Sequence, residues 1–265
     1  MADDWFDSYS GLKFERRDNG VLWITINRPE SYNSTDAELH LGLSRIWRDI
    51  DDDDETRVVV ITGEGKAFSA GGDLDWISSF VGDSRELQRV MREAGDVVYN
   101  MLQCSKVIIS AINGVAVGAG LAIALMADIS IMAEEAKITD GHVRMGVAAG
   151  DHAVVCWPLL CGLAKAKYYL LTADFINGVE ADRIGLVSKA VPGDELLAEA
   201  QKVADKLATG SQQATRLTKR ALNLWMNQAT PAFDASLAYE MLGFMSPDAA
   251  EGVAAMREKR EPNFD

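Results

Sequence analysis

Apolar and polar positions follow two different rhythms along this chain, and the change falls near residue 195. Upstream, short apolar runs alternate with stretches of helical periodicity. The segment "LKFERRDNGVLWITINR" (12–28) reads as two strands around an Asp-Asn-Gly turn, a strong hairpin signal. In "TDAELHLGLSRIWRDI" (35–50), Leu39, Leu43, Ile46, Trp47 and Ile50 share a helical face, with Ser34 or Thr35 as N-cap. The acidic run "DDDDE" (51–55) reads as a solvated helix end or loop. "RVVVITG" (57–63) is apolar without alternation, as strands buried on both faces are. A helix over about 84–103 follows, then a strand "KVIISAI", a glycine-rich turn, a helix over 118–126 and a strand "DISIMA" (128–133). Strands alternating with helices imply parallel pairing through right-handed crossovers. From residue 194 onward the pattern is helical only. It predicts four helices, "DELLAEAQKVADKLATG", "SQQATRLTKRALNLWMNQ", "TPAFDASLAYEMLGFM" and "SPDAAEGVAAMREKR", each opening on a capping Asp, Ser or Thr. The fold class is therefore α/β, with a core over 1–195 and a helical region over 196–265. No low-complexity linker separates them, so the tail is expected to pack on the core or on a neighbouring subunit.

Composition narrows the function. Of 265 residues, 48% are hydrophobic, enough for a substantial core, and the formal net charge is −14, which disfavours nucleic acid as a partner. The three cysteines, Cys104, Cys156 and Cys161, form no CxxC pair and there are only three histidines, so neither a disulfide framework nor a metal site is expected. A reducing, cytoplasmic compartment fits, and the acidic "MADDWFDSYS" has no apolar stretch of a secretory signal. The uncharged run "VIISAINGVAVGAGLAIALMA" (107–127) is long enough for a membrane span. Asn113-Gly114 breaks it and Asp128 follows at once, so a buried strand, turn and helix are expected and no membrane partner.

Two glycine-rich turns follow apolar strands: "AFSAGGD" (67–73) and "INGVAVGAG" (112–120). Neither is a GxGxxG dinucleotide fingerprint or a P-loop. Each can point a backbone N–H at one oxygen, because glycine lets a ligand approach the chain closely. Two such donors make an oxyanion hole, and loss of one typically costs ~10²–10³ in rate. A third segment, "ITDGHVRMGVAAGDHAVVCWP" (138–158), holds His142 and His152, with Asp151 nine residues after the first. Either histidine could be an ordinary surface or core residue, or part of a proton-transfer site working near neutral pH.

The chain resembles the crotonase (enoyl-CoA hydratase/isomerase) superfamily. The match runs from "ITINRPESYNS" through "VVVITGEGKAFSAGGDL", "KVIISAINGVAVGAGLAIALMADISI" and "KAKYYLLTADFINGVEADRIGLVSKAV" to "EGVAAMREKREPNF", nearly the whole chain in order. The resemblance implies a spiral of ββα repeats followed by a C-terminal helical trimerisation region, giving a homotrimer or homohexamer. It also implies an acyl-CoA thioester substrate, with coenzyme A entering as part of the substrate and no permanently bound cofactor. Carried over by position, the oxyanion amides are those of Gly72 and Ala119. The loop reaching the CoA adenine is Lys66, Ala67, Phe68 and Ala70, and Lys259 is the lysine reaching CoA phosphates. The segment "WISSFVGDSRELQRVMREAGDVV" (76–98) falls where the acyl pocket is shaped.

The two glutamates that hydratases of this family use are missing: Ala122 and His142 stand at their positions. The His142 loop instead resembles that of the β-diketone hydrolases, such as the 6-oxocamphor hydrolase branch, which cleave carbon–carbon bonds. There the pattern implies that Asp151 holds the tautomer of His142, that His142 takes a proton from water, and that Glu240 takes part. By itself, Glu240 in "LAYEML" reads as a helix-surface residue. Trp157-Pro158 completes the match, and His152 has no counterpart and reads as structural. The oxyanion segment "VGAGLA" and the "EGVAAMREKR" tail, however, follow the CoA pattern. The expected function is thus a crotonase-family enzyme acting on an acyl-CoA through a stabilised enolate, with a His142–Asp151 pair replacing the glutamates. A CoA-independent β-diketone hydrolase is the alternative, and an inactive scaffold is a third.

Overall fold

The computed structural model describes residues 5–264, so the first four residues of the acidic N-terminal stretch lie outside it. The hairpin forms where the pattern places it. Strand β1 (Leu12–Arg16) pairs antiparallel with β2 (Val21–Ile26), and Gly20 takes φ +82 in the turn, a left-handed conformation that costs glycine little. Helix α1 (Ala37–Asp52) follows, then β3 (Val58–Gly63), β4 (Ala67–Ser69), α2 (Leu74–Phe80) and α3 (Ser84–Gln103). The next units are β5 (Val107–Ile112), β6 (Val115–Val117) and α4 (Gly118–Met126), then β7 (Ile129–Ala133), β8 (Lys137–Thr139) and α5 (Ala153–Thr172). Strand β9 (Ile176–Asn177), α6 (Gly178–Arg183) and β10 (Lys189–Val191) close the core, before α7 (Leu196–Ala208), α8 (Gln212–Gly243) and α9 (Pro247–Glu258).

Each repeat sends one strand to each of two sheets. The larger has the order β1-β2-β3-β5-β7-β10 and is parallel beyond the hairpin; the smaller has the order β4-β6-β8-β9. This is the expected ββα spiral. Every residue of β3 and β5 is buried, which accounts for their lack of alternation. The apolar run 107–127 becomes β5, β6 and the buried face of α4.

Three local expectations are corrected. The cap of α1 is Asp36, whose carboxylate accepts from the Leu39 amide at 2.9 Å, because Thr35 is already held in an extended bridge to Gly72. The run 51–55 is not uniformly solvated: Asp53 is paired with Arg16 at 2.8 Å and accepts from the Thr56 hydroxyl at 2.6 Å. The two helices expected over 211–245 are one. Pro231 cannot donate to the Asn227 carbonyl, but the Thr230 hydroxyl does so at 2.9 Å, and the helix continues through the proline.

The tail packs on the core. Ala200, Ala204 and Ala208 of α7 are buried, and α8 is pinned by Lys219, which reaches Asp128 at 2.7 Å and the Lys106 carbonyl at 2.8 Å. Helices α8 and α9 close over the loop between β8 and α5, and there the chemistry gathers.

Candidate active site

One wall is made of backbone. Thr35 and Gly72 form an isolated parallel bridge in which the Thr35 amide donates to Gly71 O (2.8 Å) and the Asp73 amide to Thr35 O (2.9 Å). In such a bridge the central residue makes neither bond, so the Gly72 N–H faces away from Thr35. Ala119 is the second residue of α4, whose N-cap Val117 offers no side-chain cap, so its amide is one of the helix's unpaired donors. Both residues line one cavity of about 710 Å³. The two turns touch: a Cβ on Gly71 would lie 3.2 Å from the Val117 carbonyl oxygen, and one on Gly118 would lie 3.9 Å from Gly71 Cα. With φ of +91 and +48 as well, both positions favour glycine, Gly71 the more strongly because its Cβ would also crowd the Val117 carbonyl. The amides expected from the sequence therefore sit on neighbouring turns of the same wall.

The facing wall is made of side chains. His142 opens a short 3₁₀ turn (His142–Met145) and is buried. Its Nδ1 lies 2.8 Å from Asp140 Oδ1, while Nε2 faces Asp151 Oδ2 at 3.7 Å and Glu240 Oε1 at 3.5 Å. This corrects the expected dyad. The carboxylate that fixes the His142 tautomer is Asp140, two residues upstream and not anticipated, and Asp151 stands on the opposite, cavity-facing side of the ring. Asp151 is itself fixed by His152, whose Nδ1 lies 2.6 Å from Oδ1; the Trp157 indole N–H donates to the other ring nitrogen at 3.4 Å, so the proton sits on Nδ1. His152, fully buried, is a structural support, as expected. Glu240 is corrected from a surface residue to a buried one, 5% exposed, with Oε2 lacking a hydrogen-bond partner. Gly150 makes room for it, because a Cβ there would meet Glu240 Oε2 at 2.7 Å and Ser236 O at 2.4 Å.

The electrostatics follow from crowding three carboxyl groups about one imidazole. Burial works against a charged His142, but Asp140, Asp151 and Glu240 outweigh it and raise its pKa well above the ordinary value, so imidazolium is the resting form near neutrality. Burial also disfavours a charged Asp151, yet His142 and His152 hold its pKa below the usual carboxylate range. For Glu240 burial wins. Helped by Asp151 and Asp140 and opposed by His142, it raises the pKa to about 7. A carboxyl poised near neutrality beside an ionised one is the arrangement by which proton acceptors and donors are told apart. By donor type, His142, Asp151 and Glu240 offer ligand atoms within 4.8 Å of one another, and they are also the residues that could hold a metal ion.

The remaining lining is largely apolar, with Trp76, Phe80, Met145, Met241, Phe244 and Met256 among it. Of the residues assigned to coenzyme A, Ala70 is exposed on the cavity wall and Lys66 is exposed just before β4. Ala67 and Phe68 are corrected: their side chains are 1% and 0% exposed, with Phe68 in the core, so neither can contact a ligand through its side chain. Lys259 is exposed at the C-terminal cap of α9, next to Met256 and Arg257, which do line the cavity. His40 was not anticipated as a site residue. It lies on the buried face of α1 between Leu39 and Leu43, lines the cavity, and packs against Trp76 with ring centroids 4.9 Å apart. A histidine inside an otherwise apolar helical stripe was the available signal. The three cysteines are free thiols.

The enoyl-CoA hydratase/isomerase family model matches residues 16–265. A crotonyl-CoA hydratase from Syntrophomonas wolfei is 34% identical over 97% of this chain and 98% of that protein. Among solved structures, an enoyl-CoA hydratase/isomerase from Mycobacterium paratuberculosis superimposes with a TM-score of 0.89 at 36% identity, over 94% of this chain and 99% of the other. A β-diketone hydrolase from the cyanobacterium Anabaena, bound to (S)-3-oxocyclohexyl acetic acid, gives 0.85 at 27% identity, over 91% and 97%. With two backbone donors on one wall, an ionisable cluster opposite and relatives matched along almost its full length, this chain is an enzyme of the enoyl-CoA hydratase/isomerase, or crotonase, family.

Proposed function

We propose that the protein adds water to the β-keto group of an acyl-CoA and cleaves the adjacent carbon–carbon bond, by way of a thioester enolate. The observation that carries this reading is that Gly72 and Ala119 line one cavity with the Glu240–His142–Asp151 cluster, with only a methyl group at Ala122 beside it. A methyl group neither orients nor deprotonates water, so two-glutamate hydration has no apparatus here. Glu240, with its pKa near 7, accepts a proton from water, and the hydroxide adds to the ketone carbon. This moves the proton-accepting role from His142, which rests as imidazolium and steadies the charge on Glu240. The tetrahedral adduct breaks its carbon–carbon bond, and the electron pair becomes the enolate, whose oxygen lies at the two amides. The enolate then takes a proton at its α-carbon, giving a carboxylic acid and a shorter or ring-opened thioester.

Exposed Lys66 and Lys259 and the family's CoA-type tail support the thioester class. The Anabaena relative favours a second reading, a free β-diketone as substrate. A panel of β-keto acyl-CoA, enoyl-CoA and free β-diketone substrates, followed by mass, separates these. The expected result is a gain of one water on the β-keto thioester with carbon–carbon cleavage. Calorimetric titration with coenzyme A distinguishes the readings further, and absence of binding favours the free diketone. Leu163 and Leu171 of α5 and Leu217, Leu224 and Trp225 of α8 are more than half exposed. They support a homotrimer or homohexamer, expected in light scattering as three or six times the chain's mass.

A further inference from the structure

The buried His40–Glu93 pair lies outside the mechanism so far. His40 Nδ1 lies 2.8 Å from Glu93 Oε2, and the other Glu93 oxygen accepts from Arg89 at 2.7 Å, with Arg89 also held by Glu86 at 3.0 Å. Burial opposes the charge on Glu93, but the bonds from His40 and Arg89 hold its pKa below the ordinary range. An anion opposite Nδ1 keeps a proton there, as carboxylates that touch the far nitrogen of a functional imidazole do. Among the described residues Nε2 has no hydrogen-bond partner, and the ring lines the main cavity.

The second observation is a recess. A pocket of about 20 Å³ at the edge of the cavity is lined by Leu43, Ala94, Val97, Ala119, Ala122 and Ile123, with His40 and Asp151 as its two ionisable groups. Its volume admits one water, which those two groups would have to hold. The recess adjoins Ala119, the residue whose amide receives the thioester oxygen in the mechanism proposed above. The small side chain of Ala122 leaves it open.

We infer that His40 is the proton donor to the enolate α-carbon, recharged through the recess from Asp151; this rests on the reading of the site given above. The proton on His40 Nε2 is transferred to the α-carbon, the enolate electron pair forms the new C–H bond, and the carbonyl is restored. His40 then regains a proton by way of Asp151 and the recess water from the cluster that took one from the nucleophilic water, so the cycle consumes one water and no other reactant. Glu93, which touches His40 and not the substrate, is a positioning residue.

The test is deuterium entry at the α-carbon of butanoyl-CoA in heavy water, read by mass, which needs the enolate but no carbon–carbon cleavage. The wild type is expected to exchange. His40→Asn, which keeps a donor for Glu93 but has no titrating nitrogen, is expected to be ~10²–10⁴-fold slower with KM for the panel substrate within about threefold. Glu93→Gln is expected to fall between them. His40→Ala is expected to regain exchange with added imidazole, a rescue that a purely structural histidine would not show. Exchange by a folded His40→Asn at the wild-type rate overturns the assignment of His40 alone, as does a wild type that turns over the panel without exchanging. A wild type that neither exchanges nor turns over any panel substrate overturns the reading of the site and this inference with it.

Discussion

The two walls of the cavity achieve polarity in opposite ways. The Gly72–Ala119 wall has no polar side chain among its donors; its N–H groups are fixed by a bridge register and a helix start, and any substitution other than proline that keeps the turns keeps them. The facing wall depends wholly on side-chain identity, with an imidazole and three carboxyl groups packed where burial alone would neutralise them. The backbone wall defines what kind of intermediate is stabilised. The side-chain wall decides which reaction reaches it. Under the proposed mechanism, enolate chemistry is kept while the water-activating residues are exchanged, with Ala122 and His142 at the two exchanged positions.

The comparison breaks most severely on the side-chain wall. His142→Ala removes the charge that balances Glu240 and Asp151, and kcat on the panel substrate is expected to fall ~10²–10⁴-fold. On the backbone wall, Ala119→Pro deletes one N–H in the first turn of α4, where proline fits a helix. A loss of ~10²–10³ in kcat with the fold retained by circular dichroism is expected, and an unchanged kcat would remove that amide from the oxyanion hole. Acidity sharpens the contrast further. With Glu240 near 7, kcat is expected to rise about tenfold per pH unit below 7 and level off above it, since the acceptor must be ionised.

Stability runs the other way. A carboxyl whose folded pKa is raised binds its proton more tightly folded than unfolded, so the stability it contributes is present at low pH and is lost as pH climbs from the ordinary carboxylate range through about 7. Glu240→Gln is therefore expected to reduce the fall in Tm between pH 5 and pH 8. The smallest effect belongs to neither wall. Lys259→Ala removes one exposed charge at the C-terminal cap of α9, proposed above to reach CoA, and its cost in CoA affinity is expected to stay below about tenfold in titration, less at high salt.

Much of the fold was legible because its signals are local. The hairpin turn, the unbroken apolar runs of β3 and β5 and the stripe on α1 each follow from residues within a few positions of one another. Where expectation failed, a distant group had intervened. Asp36 caps α1 because Gly72 holds Thr35, and the helix runs through Pro231 because the Thr230 hydroxyl serves the carbonyl that proline abandons. The site divides in the same way. Gly72, Ala119 and His142 could be named from glycine-rich turns and motif order. Asp140 and the burial of Glu240 could not, and for His40 the only signal was its place in an apolar stripe, because each owes its setting to a neighbour from another element or to which ring nitrogen it meets.

Residue order alone sets the alternation of strands and helices, the two glycine-rich turns, and the absence of a carboxylate at position 122. Those properties reside in side-chain size and backbone freedom, which act over a few residues. Only the tertiary structure decided which carboxyl groups surround His142, that Glu240 of α8 loses its water, and that His40 of α1 faces the same space. Proton affinity depends on charges and burial within a few ångströms, and those distances exist only once chain segments some hundred residues apart are packed together.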